Sequence, residues 1–154
     1  MERRGKSQAA FDAYQHLVDH YTGRFEFYVV LDRQLQIAKA YKNRKKGKFL
    51  FLPGFDAPER AIPMFEKIAA SAPEGPHAAE AYFLTGAAHE RAYEYEEAID
   101  AYFTALNRFP ESEFAAQAAY AQAKCHVKIS DESPNDSRAL DTAAAACDSF
   151  LQRH

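Results

Sequence analysis

Tryptophan is absent from this chain, and its 154 residues include only two cysteines, two methionines and six glycines. Two cysteines do not make a disulfide scaffold, and Cys125 and Cys147 read as two buried thiols or as one bridge. The glycines are scattered, which leaves no phosphate-cradling loop and no glycine-flanked nucleophile elbow. β-branched residues are scarce, with five Ile, four Val and four Thr, which argues against a core built from sheets. No run approaches the ~18 consecutive apolar residues of a membrane-spanning helix. The densest bulky run, Phe49-Leu50-Phe51-Leu52, stops at Pro53. Met1 to Lys6 is charged like the start of a signal peptide, but Ser7, Gln8 and Asp12 follow where an apolar stretch belongs. The chain therefore reads either as cytoplasmic or as an internal piece of a longer exported protein. A net charge of −3 excludes a generally basic nucleic-acid binder.

What is abundant is alanine. Thirty Ala stand against nine Leu, while twelve Phe and nine Tyr supply the bulk that alanine lacks. The best helix former dominates, so the composition predicts a single all-α domain in which small residues pack against rings. Helices are predicted over 6–21, 26–44, 58–72, 76–93, 95–109, 113–129 and 136–153.

Internal repetition is the strongest signal. Ala98-Ile99-x-x-x then Pro110 repeats Ala61-Ile62-x-x-x then Pro73 at a spacing of 37 residues, with Tyr102 and Phe65 as the ring of each copy. Looser copies begin at Ala10 and at Ala143. The intervening segment repeats as well: at the same spacing His77 to Tyr82 lies over Phe114 to Ala119, Gly86 over Ala123, and His89 over His126. Each unit is thus a pair of helices, the first Ala-rich with a small residue midway, the second reading Ala-x-x-x-aromatic and closing at proline. Such a hairpin cannot bury both of its faces alone and must stack on its neighbours. Ala98, Tyr102, Ala105 and Phe109 form one apolar helical stripe. Gly86 costs ~1 kcal/mol of helix propensity against Ala, which points to a close approach by the next helix. Pro110 stops its helix, Ser112 and Ser137 are N-cap candidates, and Pro63 sits awkwardly unless its helix starts near Glu59 or Arg60.

Tyr82-x-x-Thr85-Gly86-x-x-His89, then Ala98-x-x-x-Tyr102, then Pro110 resembles the tetratricopeptide repeat. Thr85 and His89 stand where that pattern has Leu and Tyr. The resemblance is close over 77–112 and loose elsewhere. It implies a right-handed α-α superhelix, with repeat pairs at 26–72, 76–109 and 113–153 after one unpaired helix at 6–21. The spacing, Asn107-Arg108-Phe109-Pro110-Glu111-Ser112, and Asp131-Glu132-Ser133-Pro134-Asn135 ahead of Phe150-Leu151-Gln152-Arg153-His154 look like the BamD (YfiO-like) outer-membrane assembly lipoproteins. That narrower resemblance implies a non-catalytic scaffold on the periplasmic face of the outer membrane, within a β-barrel assembly complex. The lipid-bearing cysteine of that family is not among these residues, so anchoring is not carried over. Two other roles stay open: a cytoplasmic or cell-division adaptor, or a substrate-presenting accessory domain of a larger enzyme.

In tetratricopeptide arrays the first helix of each pair lines a concave groove for other proteins or extended peptides. On matching positions this implies Glu80, Phe83, Ala87, Glu90 and Arg91, then Gln117, Tyr120, Lys124, Val127 and Lys128. A second candidate contact is the excess of 14 residues that interrupts the repeat, within 42–56. It carries Lys42, Arg44, Lys45, Lys46, Lys48, Phe49 and Phe51. Lys39 through Lys48 holds six positive charges and no acid, which leaves −9 for the rest of the chain. It reads either as a solvated helix end whose lysines complement the dipole or as a contact for a partner or an anionic surface. The apolar face of the last helix, Leu140, Ala143, Cys147, Phe150 and Leu151, is uncapped and suggests either a continuing chain or self-association.

No catalytic group is expected. His16 and His20 have helical metal-ligand spacing but no third ligand, so neither a metal nor a cofactor is predicted. His89 and His126 read as histidines at the core edge, and Glu94, Glu96 and Glu97 as complements to a helix dipole.

Overall fold

In the computed structural model the described residues are 2–42, 45–46, 55–56 and 58–153, and they form an all-α protein with a helical repeat-like architecture. The helices are α1 (Glu2–His20), α2 (Phe27–Lys42), α3 (Ile62–Ser71), α4 (Ala78–Arg91), α5 (Tyr95–Arg108), α6 (Ala115–Glu132) and α7 (Ser137–Arg153). Between α2 and α3 two short strands, β1 (Lys45–Lys46) and β2 (Phe55–Asp56), pair antiparallel with Lys45 opposite Asp56. Arg44, Lys48, Phe49 and Phe51 lie outside the described residues. None of the described helices is long and apolar enough to cross a membrane.

Helices adjacent in sequence are adjacent in space: α1 on α2, α3 on α4, α4 on α5, α5 on α6, α6 on α7. The predicted stripes become the seams. Leu31, Gln34, Leu35 and Ala38 are the buried face of α2, and Ala98, Tyr102 and Ala105 that of α5, both at helical i, i+3/i+4, i+7 spacing. Three apolar clusters result. Phe11, Leu35, Ala38, Phe65 and Ile68 centre one, Tyr102, Ala118 and Cys125 the second, and Val18, Val30 and Leu31 a smaller third. Tyr82, partly buried, packs against both of the larger two and joins them.

The predicted close approach at Gly86 is present. A Cβ at this position would lie 2.7 Å from Cδ1 and Cε1 of the Tyr102 ring, so the ring rests on bare backbone. The Tyr102 hydroxyl, at the far end, donates to Glu90 at 3.0 Å. At α5's C-terminus, Phe109 leaves helical geometry (φ −132°, ψ 57°) ahead of Pro110. Arg108 reaches back across the preceding loop, donating to the Tyr82 hydroxyl and the Pro73 carbonyl at 3.2 Å each and pairing with Glu74.

Three local expectations are corrected. The third helix does not begin at 58: a 3-10 turn spans Pro58–Ala61, and α3 starts at Ile62 with Pro63 in its first turn, where no intrahelical partner awaits its missing N–H. Ser112 is not a cap, because α6 begins at Ala115 after Phe114; the Ser112 hydroxyl is buried with no partner among the described residues. Ser137 is displaced from that role by Asp136, whose Oδ1 accepts the Arg138 N–H at 3.0 Å, as an N-cap carboxylate does. Both cysteines are free thiols, and burial pushes the Cys125 thiol up to about 12.

Two outcomes follow from this packing. Gly86→Ala should destabilise the fold by ~1–3 kcal/mol through overpacking. Combined with Tyr102→Cys, which copies the Ala123 and Cys147 of the next unit, it should show a favourable coupling of at least ~0.5 kcal/mol in a double-mutant cycle by urea unfolding. In native protein, iodoacetamide should modify Cys147 and spare Cys125, read by mass spectrometry, because a protonated thiol in an apolar seam is a poor nucleophile; unfolding should equalise the two.

Candidate functional site

α4 and α6, the first helices of successive hairpins, are joined across their second halves by a Glu90–Lys124 ion pair. Glu90 is thereby doubly committed, since it also accepts the Tyr102 hydroxyl. The bond to Glu90 raises the Lys124 ammonium's pKa above its ordinary value. Beside this pair lies an open depression of about 500 Å³, bounded by Glu90, Arg91, Tyr93, Tyr95, Lys124 and Lys128. Arg91, Lys124 and Lys128 outnumber Glu90 in the lining. Although Lys124 is paired with Glu90 and Glu132 acts on the neighbouring Tyr95, the lining itself carries a net positive charge that suits an anion. Lys42 belongs to the same field: burial, then the cations Arg91 and Lys39, pull its ammonium's pKa below the usual value, against an opposing effect from Glu80.

Four of the ten residues predicted to line the groove, Glu90, Arg91, Lys124 and Lys128, are thus brought together. The other six are dispersed. Glu80 is paired with Lys39 in the last turn of α2. Phe83 turns into the seam, with its ring centroid 5.7 Å from Tyr102 and 5.6 Å from Phe114, and Ala87 packs against the same cluster. Gln117 donates to the Glu113 carbonyl one turn back, at 3.0 Å. Tyr120 leans on Phe150 of α7 at 5.7 Å, and Val127 is exposed apart from the depression. Of the basic insertion, Lys42 closes α2 and Lys45 and Lys46 form β1.

Sequence reasoning missed Tyr93. It links α4 to α5 with φ 65°, a left-handed backbone that costs a side-chain-bearing residue ~1–2 kcal/mol and that glycine adopts freely. Its ring is 79% exposed and stands edge-on to Tyr95 at 6.3 Å. The fold therefore gains little from the ring while bearing the strain of the backbone. The available signal was the segment Arg91-Ala92-Tyr93-Glu94, a tight helix-to-helix turn with no glycine.

The outer stripe of α7 is open where that of α5 is sealed. Leu140 is 50% and Leu151 73% exposed, while Ala143 is buried. His16 and His20 stack on each other with ring centroids 4.3 Å apart. Among the described residues no three His, Cys, Asp or Glu side chains converge on a point that would hold a metal ion. His89 Nδ1 lies 2.8 Å from Glu94 at the α4–α5 turn.

Tyr93→Gly should raise stability by ~1 kcal/mol, a Tm increase of ~2–4 °C for a chain of this size, measured by thermal unfolding. Comparison of the chain with family models, curated proteins and solved structures finds no match.

Proposed function

We propose that this chain is a non-catalytic scaffold of the tetratricopeptide type, whose helix pairs stack as a right-handed superhelix and bind an extended acidic segment of another protein. The observation that carries the reading is the α4–α6 depression. Two Ala-rich helices 37 residues apart in register are cross-linked by Glu90 and Lys124, and they surround an exposed ring with Arg91, Lys124 and Lys128. Cations beside an aromatic edge recognise carboxylates by charge-assisted hydrogen bonds and the peptide between them by contact area. Tyr93 fits this role, since a strained position without benefit to packing is characteristic of functional sites. In the narrower reading suggested by the spacing and by the phrase Asn107 to Ser112, the partner belongs to an outer-membrane β-barrel assembly complex, and the scaffold works in the periplasm. Lys42, at the end of α2, then adds to the same cationic field.

The test is binding of a labelled, Glu-rich extended peptide followed by fluorescence anisotropy. Arg91→Glu combined with Lys128→Glu should weaken binding by ~1–3 kcal/mol, and Tyr93→Gly by a smaller factor, with far-UV helicity unchanged. Raising the salt concentration should weaken the wild-type complex, because these charges are exposed to solvent. Equal affinity of the charge-reversed and wild-type chains would remove the depression from the binding surface.

A further inference from the structure

The 37-residue register that aligns α4 with α6 also exposes a difference between them. In α4, Tyr82 fills the space between the second helices on either side. Its ring centroid lies 6.2 Å from that of Phe109, the Arg108 guanidinium stands over its face at 5.7 Å, and its hydroxyl accepts a hydrogen bond from Arg108. The residue at the same place in α6 is Ala119. Where a ring would stand between α5 and α7 there is instead a cavity of about 330 Å³. Phe103 and Leu106 of α5, Ala119 and His126 of α6, and Ala146 and Phe150 of α7 form its walls.

Three features make this more than a packing defect. Its size falls at the lower end of small-molecule sites, roughly 300–1,000 Å³, and it is half open to solvent, so a guest can enter. Its walls combine apolar faces with five polar side chains. Asn107 and Thr142 are already bonded to carbonyls of their own helices, which leaves Gln122, His126 and Ser149 to meet a guest. Burial holds the His126 imidazole's pKa below its ordinary value, so at neutral pH the ring is uncharged and offers one donor and one acceptor. The hollow thus offers apolar and aromatic walls with unbonded polar groups beside them, as the Tyr82 niche offers Phe109 and Arg108.

We infer that the cavity between α5 and α7 is a binding site for a small phenolic compound, whose ring takes the place that Tyr82 occupies in the preceding unit and whose hydroxyl meets His126 or Gln122. This site lies apart from the α4–α6 depression and stands whether or not that surface binds peptides.

p-Cresol, the tyrosine side chain as a free molecule, is the probe, titrated into the ¹⁵N-labelled full chain and followed by amide shifts. Saturable shifts are expected at Ala119, Ala123, His126 and Ala146, and toluene, which lacks the hydroxyl, should bind several-fold more weakly. Ala119→Tyr supplies the ring in cis and should weaken p-cresol binding roughly tenfold or more, about 1.4 kcal/mol. Should that variant lose helicity, Ala146→Leu narrows the cavity from α7 and carries the same expectation. Absence of saturable shifts in the wild-type chain, or p-cresol binding unchanged in a folded cavity-filling variant, would overturn the assignment. Equal affinity for toluene would overturn the role of His126 and Gln122, and with it the phenol class.

Discussion

The ring of Tyr102 lying on the bare backbone of Gly86 is the contact from which the rest of the central structure is positioned. An alanine-rich interior has little bulk with which to fix one helix against another, so register depends on rings entering particular gaps. With the Tyr102 ring held in place, its hydroxyl has one direction to point, toward Glu90. Glu90 then holds Lys124, and a third helix is aligned by the same side chain. One aromatic residue thereby places α4, α5 and α6, and the cationic depression is a by-product of that alignment.

The N-terminal part is organised by different means. Gln34 is fully buried and donates to Gln15 at 2.9 Å, and Gln15 donates in turn to Asp19 and to Ser71. This chain of amides runs from α2 through α1 to α3 beside the apolar contact of Phe11. The Gln34 Oε1 is buried without a partner among the described residues, and such an atom costs ~1–3 kcal/mol. An interior that accepts this cost gains orientation, because a polar chain matches only one placement of α1 where Ala and Leu would match several.

Much of this was legible in the residues themselves. The helical repeat-like order, the seven helices of the described residues near their bounds, and the close approach at Gly86 all follow from spacing and propensity, because each concerns a single helix or hairpin. What escaped depends on how one hairpin lies on the next. Phe83 and Tyr120 sit on the face that family geometry assigns to a groove, yet Phe83 turns into the seam onto Tyr102 and Phe114, while Tyr120, still largely exposed, leans sideways onto Phe150. Lys39, in α2's last turn, meets Glu80 in α4's first turn, whereas Lys124 of mid-α6 meets Glu90 in α4's last turn. The first unit thus meets the second in a different register from that in which the second meets the third, and periodicity within a helix carries no record of that offset. The N-caps failed for a more local reason. Ser112 and Ser137 have suitable chemistry, but Asp136 comes one residue sooner, and a turn in which the Ser112 carbonyl accepts the Ala115 N–H precedes α6, so Ser112 lies outside its N-terminus.

Across the two later units the bulk has been redistributed. Gly86 faces Tyr102, while the next unit has Ala123 in the same register and Cys147 in the looser copy that begins at Ala143, and Tyr82 gives way to Ala119. The first combination fills its seam, whereas the second leaves the hollow between α5 and α7. A helix pair that gives up volume on one side without gaining it on the other keeps an opening, so unevenness between neighbouring hairpins becomes room for another molecule.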